Sequence, residues 1–158
     1  MSIKHALLFA CAGNTCRSPA AARILEARLA RKGEDLRGWL IDSGGLSVGR
    51  GQPASAGMAA ALSRRGLDLS EHRSRPVEDL AMSLYPLVLV MEPEQKQDVL
   101  ARFPFWNGKV FLLAEMSSGN EGVEDPFGQD ERAYEKTARQ IERLIERGLA
   151  RIVSLSAV

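Results

Sequence analysis

The chain has 158 residues, 45% apolar and 26% charged, the proportions of an ordinary soluble domain long enough to bury a core. A formal net charge of +1 and a pI near 7.8 give no electrostatic reason to expect nucleic acid or an acidic membrane surface as partner. No apolar run approaches the roughly 20 residues that cross a bilayer.

Ile3 to Ala10 is short and apolar, which predicts a strand buried on both faces. Lys4 followed by HALLFAC faintly resembles a secretion signal ending at a lipidated cysteine. Its apolar part, Ala6 to Ala10, is shorter than the roughly 7–15 residues of a signal core, and cleavage would remove the first strand. The chain therefore reads as cytoplasmic. In a reducing compartment two cysteines point to catalysis or redox sensing rather than a structural staple.

After the stretch CAGNTCRSP (Cys11 to Pro19), Ser18 is the candidate N-cap of a helix with Pro19 at its first position. Ala22, Leu25 and Leu29 recur at helical spacing, and Gly33 supplies the stop. Trp39 to Ile41 predicts a second strand, followed by a glycine-rich loop from Asp42 to Pro53. Ala54 to Arg65 reads as a helix ended by Gly66, and Leu67 to Pro76 as a polar connection holding His72.

Leu87 to Met91 predicts the third strand, Glu94 to Arg102 a helix entered after Pro93, and Val110 to Leu113 the fourth strand. Glu115 to Gly128 has no periodicity, and a loop of that length inside a compact domain is usually functional. Tyr134, Ala138, Ile141, Ile145 and Leu149 mark the apolar stripe of a final helix, around which both signs of charge alternate as on a solvated surface. Strands alternating with helices, without repeat or linker, predict one α/β domain over residues 1–158 with a parallel sheet.

Cys11 and Arg17 lie six residues apart with Gly13 between them, in a strand–loop–helix context. Such a loop turns successive N–H groups inward, and the helix N-terminus adds a positive dipole, which makes a site for a tetrahedral oxyanion. Arg17 offers a planar fork to two phosphoryl oxygens. Cys11 at the base of the cradle is then the nucleophile, since the same positive field favours its thiolate. Thiolate attack at phosphorus needs a proton for the leaving group. Asp125 is the best-placed acid: it opens Asp-Pro-Phe in the long loop, where it could later activate water. The plainer reading of Asp125-Pro126 is a turn. His5 and His72 are far apart in sequence and form no metal cluster, so neither metal nor cofactor is expected.

CAGNTCRSP resembles the signature loop of the low-molecular-weight protein-tyrosine phosphatase family. Asp125-Pro126-Phe127 resembles that family's late acid motif, Asp42-Ser43-Gly44 its Ser-Ala-Gly region and Leu87 to Glu92 its third strand. The resemblance runs nearly end to end and implies four parallel strands in order 2-1-3-4 with helices on both faces. The phosphate loop would follow strand 1, at the topological switch point. It implies Cys11 as nucleophile, Arg17 as phosphate clamp and Asp125 as general acid. Ala12, Gly13, Asn14, Thr15, Cys16 and Arg17 would bind the phosphate, with Asn14, Ser18, Ser43 and His72 in the polar network that holds the loop. On their own, Ser43 is a turn residue and His72 an ordinary satisfied histidine. The substrates implied are phosphorylated proteins.

Three positions depart from or vary within the pattern. Phe127-Gly128 replaces the paired aromatics often found after the acid, which thins the pocket wall, and Pro86 stands where an aspartate often precedes the third strand. Thr15 replaces a common aliphatic. With Asp-Pro-Phe-Gly it resembles the bacterial protein-arginine phosphatase branch, so Thr15 and Phe127 are the specificity candidates, and phosphotyrosine and phosphoarginine both stay open as substrates. Cys16 is either a small packing residue or the partner of a protective disulfide with Cys11. Arsenate reduction relayed through further cysteines is disfavoured because none follows Cys16, and two cysteines are too few for a structural zinc site.

Overall fold

A computed structural model describes residues 2–158. Its elements are β1 (His5–Cys11), α1 (Arg17–Arg31), β2 (Trp39–Gly45), α2 (Ala56–Ser63), β3 (Leu87–Val90), α3 (Pro93–Arg102), β4 (Val110–Leu112) and α4 (Glu131–Leu155). The four strands form one parallel sheet in the order β2-β1-β3-β4. β1 is hydrogen-bonded on both edges, with Leu7 opposite Ile41 on one side and Leu87 on the other. That central position explains its apolar sequence: Ala6 to Cys11 are all buried.

Side chains alternate across the pleat, so the sheet feeds two cores. Leu7, Phe9, Leu87 and Leu89 pack against α1, α2 and α4, while Ala6, Leu8, Ala10, Val88 and Val90 face Val99 of α3, Trp106 and Val77. Helices therefore cover both faces, as a buried parallel sheet requires. No helix among the described residues is long and apolar enough to cross a membrane.

The differences from the sequence reading lie at element ends. α1 begins at Arg17 with Cys16 in the cap position and no side-chain cap, so Ser18 and Pro19 are the second and third residues of its first turn rather than the cap and the first position. β2 runs on through Asp42, Ser43, Gly44 and Gly45, which pair with β1 up to Cys11. Those two strand positions are glycine for a steric reason: a Cβ on Gly45 would lie 2.2 Å from Val48 Cγ1, and one on Gly44 3.0 Å from both Leu80 and Val77. The long loop is also less irregular than its sequence, since Leu113–Ser117 forms a 3₁₀ turn that buries Met116.

α4 shows the expected stripe, with Tyr134, Ala138, Ile141 and Ile145 buried. Its glycine marks where the 3₁₀ turn crosses closest: a Cβ on Gly148 would stand 2.5 Å from Met116 Cβ and 3.1 Å from that residue's carbonyl carbon. Neither atom is the free end of a side chain, so backbone would have to move. Gly148→Val is expected to destabilise the fold by about 1–3 kcal/mol through overpacking, read as a lower midpoint in urea unfolding; an unchanged midpoint would show that the crossing can widen freely.

Candidate active site

The loop between β1 and α1 opens at the C-terminal edge of the sheet, where neighbouring connections leave in opposite directions. Five of its carbonyl groups are engaged from outside. Cys11 O accepts from Leu46 N at 2.9 Å, Ala12 O from Ser47 N at 3.0 Å, Thr15 O from Ser55 N at 2.8 Å and Cys16 O from Ala20 N at 3.2 Å. Asn14 O is 2.6 Å from His72 Nε2, which must be the donor because a carbonyl cannot be. Among the described residues, the N–H groups of residues 13–17 donate to no protein acceptor. Carbonyls pinned outward and amides unpaired make an electropositive cup at a helix start, the geometry of an oxyanion site.

Asn14 is the keystone of the loop's own shape. It is fully buried with φ +53°, the left-handed region that Asn tolerates better than most residues. Its Nδ2 donates to Ser18 Oγ at 2.9 Å and Ser43 Oγ at 3.0 Å, and its Oδ1 accepts from Arg75 N at 3.0 Å. Arg75 in turn donates to Ser43 O and to Asp42, whose other oxygen accepts from Tyr85 OH at 2.5 Å. Ser18 misses the cap role because its hydroxyl faces this network and lies 3.0 Å from Cys11 Sγ.

Arg17 is buried, yet its guanidinium has a defined seat. Nη1 donates to Glu92 Oε1 and, at 2.8 Å, to Val123 O, while Nη2 is 3.7 Å from Asp125 Oδ2. Nε has no partner among the described residues. The fork is thus held from behind on one nitrogen and keeps two for a ligand in the cup. Glu92 is itself placed by the start of α3, where Gln95 Oε1 accepts from the N–H groups of Met91 and Glu92.

Asp125 does two things at once. Oδ1 accepts from Phe127 N at 3.1 Å, closing the turn that the Asp-Pro sequence suggests, and Oδ2 points towards Arg17. A cavity of about 320 Å³ is lined by Cys11, the loop from Ala12 to Arg17, Asp125 and Phe127. Nine expected residues meet there; Ser18, Ser43 and His72 lie behind the loop. Phe127 stands at the rim with 71% of its surface exposed, a single aromatic wall. Ser47 and Val48 complete the lining and went unnoticed in the sequence, as did Glu92, Val123 and Arg75 as anchors.

The two cysteines separate by environment. Cys16 packs into the α1–α2–α4 core, and burial pushes its thiol up to about 12, with Asp125 and Cys11 adding to the effect and Ser55 and Arg17 opposing it. Cys16 is a neutral thiol at physiological pH, whereas Cys11 Sγ faces the cup beside a hydroxyl donor.

His72 is held below its ordinary value of 6.5, first by burial and then by Arg75 and Arg73, against the opposing bond to Asn14 O. The unfolded chain therefore binds the proton near 6.5 and the native one only at lower pH. In that window the unfolded state carries more protons, so stability falls as pH drops below 6.5. Wild type is expected to lose more of its urea midpoint on acidification than His72→Gln, which keeps an N–H donor but does not titrate; parallel losses would remove His72 as the cause.

Comparison with known proteins matches residues 6–155 to the family model described as low molecular weight phosphotyrosine protein phosphatase. A protein of Ralstonia nicotianae named probable low molecular weight protein-tyrosine-phosphatase EpsP is 32% identical over 149 residues, covering 94% of this chain and 97% of its own. A protein-arginine-phosphatase of Geobacillus stearothermophilus is 33% identical over 144 residues, covering 90% and 93%. Among solved structures, the crystal structure of a low molecular weight protein tyrosine phosphatase from T. tengcongensis superposes with a TM-score of 0.86 at 32% identity, over 93% of this chain and 99% of that one.

Proposed function

The chain belongs to the low molecular weight phosphotyrosine protein phosphatase family, and from that premise we propose that it hydrolyses phosphorylated protein side chains, phosphotyrosine first, through a cysteinyl-phosphate. The observation that carries the reading is the convergence of Cys11 Sγ, the two unanchored nitrogens of Arg17 and the Asp125 carboxyl on one cavity floored by unpaired amides.

The steps follow from that arrangement. The dianionic phosphate enters the cup, where residues 13–17 and Arg17 take its oxygens and align phosphorus above Cys11. Cys11 attacks as the thiolate, its Sγ 3.0 Å from the Ser18 hydroxyl at the start of α1. Negative charge grows on the equatorial oxygens, against donors already in place. Protonated Asp125 gives its proton to the departing oxygen as the P–O bond breaks. The resulting carboxylate then takes a proton from water, whose oxygen attacks the phosphocysteine and releases phosphate and the Cys11 thiolate. Working cysteine chemistry of this kind suits the reducing cytoplasm.

Phosphoarginine is the second reading, and two observations favour it. Thr15 lines the cavity, and a relative of nearly equal identity is named a protein-arginine-phosphatase. A hydroxyl in the wall suits a polar guanidinium, while the single ring of Phe127 offers an aromatic substrate one face only.

Cys11→Ser should abolish turnover while retaining phosphate binding by calorimetry; residual activity at the wild-type level would refute the nucleophile. Asp125→Ala should slow turnover by about 10²–10⁴-fold, most for poor leaving groups, and a small uniform effect across leaving groups would remove it as the acid. Wild type and Thr15→Ile compared on matched phosphotyrosine and phosphoarginine peptides should show the substitution shifting preference towards phosphotyrosine; an unmoved ratio would acquit Thr15.

A further inference from the structure

Beside the Cys11 cavity lies a second groove of about 370 Å³, between α4 and the chain from Gly122 to Gln129. Asp125 lines both, so the two adjoin at that residue. The α4 wall carries Lys136, Arg139 and Arg143, three and four residues apart and hence on one helical face.

The charge on α4 is segregated. Its acidic side is neutralised: Glu131 and Glu135 pair with Arg64, Glu135 and Glu142 with Arg65, and Glu146 with Arg28. On the groove side Lys136 and Arg139 are exposed and, among the described residues, make no ion pair or hydrogen bond. Arg143 reaches only Glu121, at 3.7 Å and half exposed. Gln140 ties the groove floor to the opposite wall by donating to Gly122 O at 3.1 Å. Unspent cations therefore line a polar channel that begins at the general acid.

We propose that this groove is a substrate subsite: Lys136 and Arg139, with Arg143 further along, receive acidic side chains of the substrate polypeptide beside its phosphorylated residue. The inference rests on the phosphatase reading and adds a class of sequence to it. α4 spreads the three cations over about 10 Å, which an extended chain covers in about three residues. Glu124 on the facing wall carries the opposite sign and steers an acidic side chain towards the helix. The substrate fits better than a second copy of the chain, because a polypeptide leaving the Cys11 cavity over Asp125 enters this channel directly.

The test uses phosphopeptides identical except for two or three flanking residues, acidic or neutral, on either side, in phosphotyrosine and phosphoarginine sets. Wild type should prefer acidic flanks on one side by about fivefold in kcat/KM, carried by KM and shrinking with salt. Lys136→Gln/Arg139→Gln should lose that preference, and Lys136→Glu/Arg139→Glu should reverse it towards basic flanks, while all retain wild-type turnover of p-nitrophenyl phosphate. No acidic preference, or one that survives in the double variants, overturns the subsite. Dimerisation of wild type that the double variants lose would assign the face to a second copy and overturn it as well. Failure of wild type on p-nitrophenyl phosphate and on every peptide would instead bring down the phosphatase reading, and this one with it.

Discussion

Five carbonyls of the loop after β1, those of Cys11, Ala12, Asn14, Thr15 and Cys16, are each held by a donor outside the cup. A peptide group whose oxygen is fastened outward presents its N–H inward, so the outer hydrogen bonds set the sign of the inner surface. The loop needs no lysine and no metal to become positive. It needs Leu46, Ser47 and Ser55 to arrive from the β2–α2 connection, and His72 from the segment before β3. The position of Asn14 in the left-handed region, with both ends of its amide used, closes the arrangement from within.

Arg17 illustrates a second kind of constraint, the burial of a charge. A guanidinium removed from water is tolerable only when it is paired and hydrogen-bonded. Glu92 and Val123 O supply that on one nitrogen, and the weaker approach of Asp125 adds a second carboxylate. Arg17 thus presents its remaining nitrogens already desolvated and oriented.

The parts of the site legible in the sequence were those written in contiguous residues: CAGNTCRSP for the loop and Asp-Pro-Phe for the carboxyl and ring that share its cavity. Alternation of apolar runs with helical stripes was enough for a parallel sheet in an α/β domain, and the strand order and both helical layers followed from the resemblance. Glu92 and Val123 escaped notice because they act on Arg17 from 75 and 106 residues away. No local pattern records such a distance. Ser18 looked like a cap because a serine before proline has that statistical meaning, whereas its hydroxyl is claimed by Cys11 and Asn14. Gly44 and Gly45 looked like loop residues because the reason for them is a close approach by Val77, Leu80 and Val48, visible only in three dimensions.

The distance of those anchors has a consequence for how the protein assembles. The cup is complete only when β2, the His72 segment, the start of α3 and the chain at Val123 have all docked around β1. No half-folded species can hold the loop in its binding shape, since loop closures of this length must all be made first. Any ligand that needs this cup meets it only in the whole native state, and its binding would pull the folding equilibrium towards the finished molecule.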